Sequence, residues 1–442
     1  MAEKMPFVKI LQLGFVNVAV ALTAVPIDGT LNRVMMSELS LPATLVAVLI
    51  ALPYLFSPIQ VWIGGYADTH PIAGLRRTPY ILVGLSLCVL GLILAPAAAQ
   101  GLGQDILSGL PLGIVAFGAW GMGFNIATVS YLSLATELAG EQHRARTIGI
   151  MWFMLITSVI IAGISISRML PADHYDPVAI TQACYAVAGL ALMIGLAALI
   201  RLEPRMQHAA PVARRSYSAM LAMIRQTPQA RLFFIYLILL LIAILGQDVL
   251  LEPYAADIFQ VPIAETTRYT SIWGGALLLG LLVTSSIVQR WGKAGAATLG
   301  AVLVGFGLIL IAGSGVVHMR SMLMPSLMLF GFGSGISTAA NLALMLDMTL
   351  PGQIGVFVGA WGMADALARL LGTLLSGVVR DGVIMLAGGE KLLGYMVVFL
   401  LQALAMFVSL LLLRRLNVER FRQQAAPTTG ELVALAGETS SG

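Results

Sequence analysis

A run of about twenty apolar residues can satisfy its own backbone inside a lipid bilayer only as a helix, and this sequence of 442 residues repeats such runs almost end to end. We read twelve of them, at about residues 8–31, 42–65, 79–99, 110–136, 147–168, 178–200, 231–254, 267–290, 294–316, 322–347, 354–378 and 393–415. Charged residues make up 10% of the chain against 59% apolar ones, and the mean hydropathy is +0.92. Those values exclude a large soluble enzyme, and no nucleic-acid partner is expected. Cys88 and Cys184 both lie inside apolar runs, so neither a structural disulfide nor a zinc site is expected. The first run begins behind Lys4 and Lys9 and reads as a retained start-transfer helix.

Lys and Arg set the orientation. The N-terminus, the loops that follow even-numbered spans and the C-terminal flank hold eighteen of the twenty-five. The positive-inside rule then puts both termini in the cytoplasm of a bacterial inner or intracytoplasmic membrane. Residues 201–230 form the longest polar connection, whose arginines are expected to touch anionic lipid headgroups. Residues from 417 on read as a disordered tail.

The chain repeats itself. Shifted by 220 residues, Asp28 falls on Asp248 and Asn32 on Glu252, each pair closing the first span of its half. Shifted by 210, Gly121, Gly123, Ile126 and Thr128 meet Gly331, Gly333, Ile336 and Thr338. Two six-helix halves, residues 1–200 and 231–416, in parallel repeat and joined by a basic loop resemble the major facilitator architecture. The fold class expected is an all-α polytopic membrane protein with twelve transmembrane helices in two pseudo-symmetric halves.

An ionised carboxylate facing lipid costs several kcal/mol or more, so acids within a span face a cavity, a partner helix or a polar ligand. Asp248 and Glu252 are four apart and would share one face of a helix. Asp365 and Arg369 have the same spacing, which permits an intrahelical ion pair; a substrate or partner role is the alternative. In the loop after the second span, Asp68 with Arg76 and Arg77 resembles the facilitator loop signature, in which an acid and an arginine pair lock one state. Here the trio reads as a structural brace or a gate. Glu137 and Asp347 end their spans near loop arginines, and helix-end bonding is the simpler account of both.

Several stretches together carry a sharper likeness. Gly29-Thr30-Leu31-Asn32-Arg33-Val34-Met35, Ala67-Asp68-Thr69-His70 with Arg76-Arg77-Thr78-Pro79-Tyr80, Gly246-Gln247-Asp248-Val249-Leu250-Leu251-Glu252-Pro253-Tyr254 and Gly359-Ala360-Trp361-Gly362-Met363-Ala364 resemble the PucC family. The likeness covers nearly the whole chain, with one departure at Pro71-Ile72-Ala73, where the family loop is more polar. The resemblance implies a non-enzymatic factor for assembling bacterial light-harvesting antenna complexes. Its implied partners are antenna polypeptides, bacteriochlorophyll and the pigment's synthase. No tightly bound cofactor is implied, with bacteriochlorophyll as a transient cargo.

A bacteriochlorophyll cargo makes a chemical demand, because its magnesium takes an axial ligand. His70, His143, His174, His208 and His318 all fall outside the spans. Oxygen donors suit magnesium, which makes Asp28, Asn32, Gln247, Asp248, Glu252 and Asn341 the candidates by depth and type. The alternative for each is an interhelical hydrogen bond. Two other functions make different chemical demands. A proton-coupled secondary transporter would use the same acids. A pigment synthase would need an Asp-x-x-x-Asp cluster for magnesium diphosphate, and no two aspartates in the chain are spaced by four.

Overall fold

The computed structural model describes residues 6–171, 174–205, 228–347 and 354–416. Most of the expected connection 201–230 and all of the expected tail 417–442 lie outside the described residues. In chain order the helices are α1 (Phe7–Val25), α2 (Ala43–Leu55), α3 (Ile59–Thr69), α4 (Thr78–Gln104), α5 (Ile106–Met169), α6 (Pro177–Leu199), α7 (Pro228–Leu245), α8 (Leu251–Phe259), α9 (Ile263–Val316), α10 (Arg320–Asp347), α11 (Ile354–Leu386) and α12 (Lys391–Leu413).

Among the described residues ten helices are long and apolar enough to cross a bilayer, against the twelve expected. Two local causes account for the difference. Pro53 and Pro58 interrupt the second run, because proline supplies no N–H to a helix and crowds the turn before it. The result is a 13-residue α2 and an 11-residue α3. The eighth and ninth runs, in contrast, form one 54-residue helix, α9. At about 1.5 Å per residue it is more than twice the ~30 Å hydrocarbon thickness, so it folds back on itself. The bend is at Gly292 (φ 71°, ψ 172°), and the 64-residue α5 bends likewise at Gly140 (φ 61°, ψ 177°). That backbone region is open to glycine and almost nothing else.

Small residues let these bent helices approach their neighbours closely. A Cβ on Gly84 of α4 would come within 2.8 Å of the Gly123 carbonyl on α5. A Cβ on Gly300, in the second leg of α9, would come within 3.0 Å of the Gly333 carbonyl on α10. Gly123 and Gly333 are one of the repeat pairs, so the same crossing is built twice. α10 packs against both legs of α9, with Gly331 against Trp273 and Gly333 against Leu303.

The two sides of the molecule meet along two seams. In one, α2 packs on α11, where a Cβ on Gly377 would come within 2.7 Å of the Ala43 carbonyl. In the other, α5 packs on α9, with the Ser271 hydroxyl donating to the Ile160 carbonyl at 2.9 Å and Arg268 Nε to Ser167 Oγ at 2.7 Å. These contacts gather toward the end of the bundle where α1 finishes and α12 starts.

Candidate functional site

The first helix of each side loses its regularity in the same neighbourhood, by different means. In α1 the cause is Pro26, which offers no N–H to the preceding turn, and the chain continues as π-helical turns Pro26–Leu31 and Val34–Glu38. In the other helix, α7 ends at Leu245 and α8 starts at Leu251, with a turn between. The Gly246 carbonyl freed by that turn accepts from Ser376 Oγ at 2.8 Å, and Gln402 Nε2 donates to Ser376 Oγ at 3.0 Å. The two irregular segments touch: Asn32 Nδ2 donates to the Val249 carbonyl at 2.9 Å.

The turn corrects one sequence expectation. Asp248 and Glu252 do not share a helix face, because the break at 246–250 interrupts the periodicity between them. Glu252 is 3% exposed, and its Oε1 accepts from Thr270 Oγ1 at 2.9 Å. Its carboxylate rests on Gly29, where a Cβ would lie 2.8 Å from Oε1. Asp248 turns elsewhere, accepting from Gln247 Nε2 and standing 3.8 Å from Arg369 Nη1.

Arg369 joins two elements. Its Nε donates to Asp365 Oδ2 at 3.1 Å along α11, the pair that the four-residue spacing permits. Its guanidinium also lies 5.7 Å from the ring centroid of Tyr54, at the end of α2. The side chains of Asp248, Asp365 and Arg369 keep 38%, 37% and 30% accessibility deep within the bundle, so they line an open cavity rather than a packed core. Asp28, on the first π-helical turn, is partly exposed and lies within the electrostatic reach of Asp248 and Arg369. Its Oδ1 is buried and has no hydrogen-bond partner.

The remaining expected residues are distributed as follows. Asn32 and Gln247 are fully buried, and Asn32 Oδ1, Gln247 Oε1 and Glu252 Oε2 each lack a partner. Asn341 lies apart from the cavity group: it accepts from the Tyr236 hydroxyl and donates to the Ser337 carbonyl at 2.7 Å, a clasp between α7 and α10. The Asp68 side chain lies outside the described residues. Arg77 donates to Glu137 Oε1 at 3.0 Å. Glu203 receives the backbone N–H groups of Arg76, Arg77 and Thr78 at 2.8, 3.1 and 2.7 Å, a carboxylate seated on the N-terminus of α4.

A second charged group was not read from the sequence. Asp257 in α8 accepts from Arg380 Nη2 at 3.2 Å and from the Tyr395 hydroxyl at 2.8 Å, with Lys391 at 3.2 Å. Arg380 also pairs with Asp381 at 2.8 Å and lies 4.5 Å from the Tyr395 ring centroid. Asp381 accepts from both the backbone N–H and the hydroxyl of Thr44, at 2.7 and 2.8 Å, and so reaches across the α2–α11 seam. Arg33 closes the neighbouring gap, bonded to Glu38 at 2.6 Å and to the Val261 carbonyl at 3.0 Å. The Asp257 and Arg380 side chains are 4% and 6% exposed. We call this group the latch. The one signal for it in the sequence is the adjacent pair Arg380-Asp381, which falls beyond the expected end of its span at 378.

A helical bundle with a latched end and an ion-lined cavity behind the latch is a polytopic membrane protein of the major facilitator fold. Solved structures agree on that fold. A bacterial homologue of the human lysosomal transporter Spinster, inward-facing and unoccupied, superposes with a TM-score of 0.71 at 11% identity, covering 97% of this chain and 100% of its own. A D-xylose–proton symporter gives a TM-score of 0.68 at 14% identity, over 91% and 97% of the two chains. Within that class, the family model described as PUCC protein matches residues 30–421, and the chain belongs to the PucC family. Protein PucC of Rhodobacter capsulatus is 30% identical over 432 residues, 92% of each chain. Protein PucC of Cereibacter sphaeroides is 30% identical over 427 residues, 93% of this chain and 92% of its own. A Rhodobacter capsulatus protein named bacteriochlorophyll synthase 44.5 kDa chain is 28% identical over 394 residues, 85% of this chain and 88% of its own.

Proposed function

We propose that this chain is a non-enzymatic factor that assists the assembly of bacterial light-harvesting antenna complexes, handling bacteriochlorophyll as a transient cargo while antenna polypeptides assemble. The observation that carries the reading is membership of the PucC family along almost the full chain, since that family is linked to photosynthetic antenna assembly. The name of the 28%-identical relative supports work beside the pigment's synthase. Asp28 and Asp248 face the open cavity, and are the ligand candidates a magnesium centre could reach there without rearrangement of the crossing. Asn32, Gln247 and Glu252 would need α1 and the α7–α8 turn to part. The Lys and Arg distribution supports cytoplasmic termini in an inner or intracytoplasmic membrane.

A strain lacking the chain is expected to keep making bacteriochlorophyll and to accumulate less of one antenna complex, measured by absorption spectra of membranes and by pigment extraction. Loss of the pigment itself, with its unprenylated precursor building up, would sink the reading in favour of an enzyme.

The cavity favours a second reading, a proton-coupled secondary transporter, because Asp248, Asp365 and Arg369 stand between the two sides of a facilitator fold. The two readings part over the latch. Cysteines placed at Thr44 and Asp381 and cross-linked would hold that end shut. An assembly factor without a transport cycle keeps supporting antenna accumulation under the cross-link, whereas a transporter stops.

A further inference from the structure

The end of the bundle that carries the latch has few basic residues, and they divide into two sets. Arg33, Arg168, Arg268, Arg320, Arg380 and Lys391 lie there. Arg33, Arg380 and Lys391 are matched by carboxylates, Glu38 for the first and Asp257 for the other two. The remaining three gather where α5 ends and α9 and α10 begin. Glu265 pairs with Arg320 across the gap between α9 and α10, and solvent reaches both side chains, 34% and 49% exposed. Arg168 and Arg268 are exposed and have no carboxylate partner among the described residues. Positive charge is in excess at this place.

A cavity of about 400 Å³ opens beside it, within the usual range for a small-molecule site. Its walls include Glu265, Arg268, Tyr269 and Ile272 on α9 and Met324 on α10. Arg268 is held in place there. Its Nε donates to Ser167 Oγ at 2.7 Å, and that hydroxyl, 2% exposed, donates to the Ala264 carbonyl in the cavity wall. The terminal nitrogens of Arg268 meet no acceptor among the described residues. The two ends of the cavity differ in character. Charge lies at the start of α9, and Ile272 and Met324 lie a turn or more further along their helices. Exposed apolar side chains continue past them, Leu279 on α9 and Met328 on α10.

We propose that this groove binds one anionic phospholipid, its phosphate on Arg268 and Arg320 and an acyl chain against Ile272 and Met324. The chemistry sets the class. A guanidinium takes a phosphate through parallel N–H···O bonds. A free inorganic anion would leave the apolar end of the groove unused. A zwitterionic lipid would bring a further positive charge to a place already in excess of it. Glu265 is then the resident anion with which the phosphate competes for Arg320, and an ion pair that solvent reaches is weakly held. With cytoplasmic termini, the lipid comes from the leaflet away from the cytoplasm. This inference does not rest on the antenna reading, because it concerns the lipid that surrounds the protein rather than its cargo.

The test uses the full chain purified in a non-ionic detergent, with dioleoyl-phosphatidylglycerol in mixed micelles as the probe. Native mass spectrometry counts the lipid retained, and thermal unfolding reads the effect of binding. Dioleoyl-phosphatidylcholine and inorganic phosphate at matched ionic strength are the controls. Phosphatidylglycerol is expected to leave a tightly held adduct and to raise the unfolding midpoint, and the controls to do neither. Arg268→Gln and Arg320→Gln should each weaken that adduct by about tenfold or more, the weight of one hydrogen bond to a charged group. Glu265→Gln should strengthen it, a gain that a purely structural ion pair would not produce. Ile272→Trp fills the apolar end, keeps both arginines, and should weaken the lipid as well. Unliganded unfolding midpoints report whether each variant is folded. No adduct on the wild-type chain overturns the proposal. Equal retention by a folded Arg268→Gln, Arg320→Gln double variant overturns it too, since the lipid then sits on another basic face. So does equal retention of phosphatidylcholine, or an equal rise in midpoint with inorganic phosphate.

Discussion

The latch and the cavity are built from the same residue types, aspartate and arginine beside a tyrosine, and they come to opposite ends. In the latch Arg380 lies between Asp257 and Asp381, Tyr395 and Thr44 donate to the same two carboxylates, Lys391 meets the second Asp257 oxygen, and the Asp257 and Arg380 side chains are sealed from solvent. In the cavity a single arginine serves a surplus of acids, and the group stays wet. Burial makes each ion in the latch depend on its partners, because an unpaired charge there has no water to fall back on. Access frees the cavity ions from that dependence. Equal chemistry therefore holds the fold in one place and remains available to a ligand in the other.

Arg380→Leu should break the comparison hardest. It leaves Asp257 and Asp381 without their shared guanidinium, and removal of one partner from a buried ion pair costs about 3–5 kcal/mol. Thermal unfolding in detergent would read the loss, and a change below about 1 kcal/mol would mean that the latch is ornamental. Thr44→Val sharpens the picture within the latch. It keeps the backbone N–H and removes the hydroxyl donor to Asp381, at a cost of about 1.5 kcal/mol for a hydrogen bond to a charged group. The same variant should raise hydrogen exchange at the start of α2. The smallest effect is expected from Asp365→Asn in the cavity, at most about 1 kcal/mol, as for ion pairs that solvent reaches. A loss as large as that of Arg380→Leu would show that accessibility is not what separates the two groups.

Much of this was legible in the sequence, and the failures have local causes. The apolar runs locate nearly every helix, and the repeat places Asp28 and Asp248 in corresponding positions, which the fold then brings near each other. The spacing of Asp365 and Arg369 gives their contact directly. Spacing misled at Asp248 and Glu252, because a helix period holds only while the helix does, and Gly246 begins a turn. The α2–α3 break was signalled by Pro53 and Pro58 but outweighed by the apolar run around them. Glu203 and Asp257 were out of reach. Each finds its partners more than 120 residues away in the chain, at the start of α4 and near the end of α11, and no local pattern encodes such a meeting.

The bend at Gly292 has a consequence for how the protein is made. With helix running up to the glycine on one side and resuming on the other, there is no slack chain to park one leg of α9 outside the membrane while the other settles. Both legs must leave the insertion machinery together, as a closed pair whose polar backbone is already spoken for. A bulkier residue at that corner would first be felt during synthesis, as chains stalled half-inserted and open to proteases, before any fault could show in the mature fold.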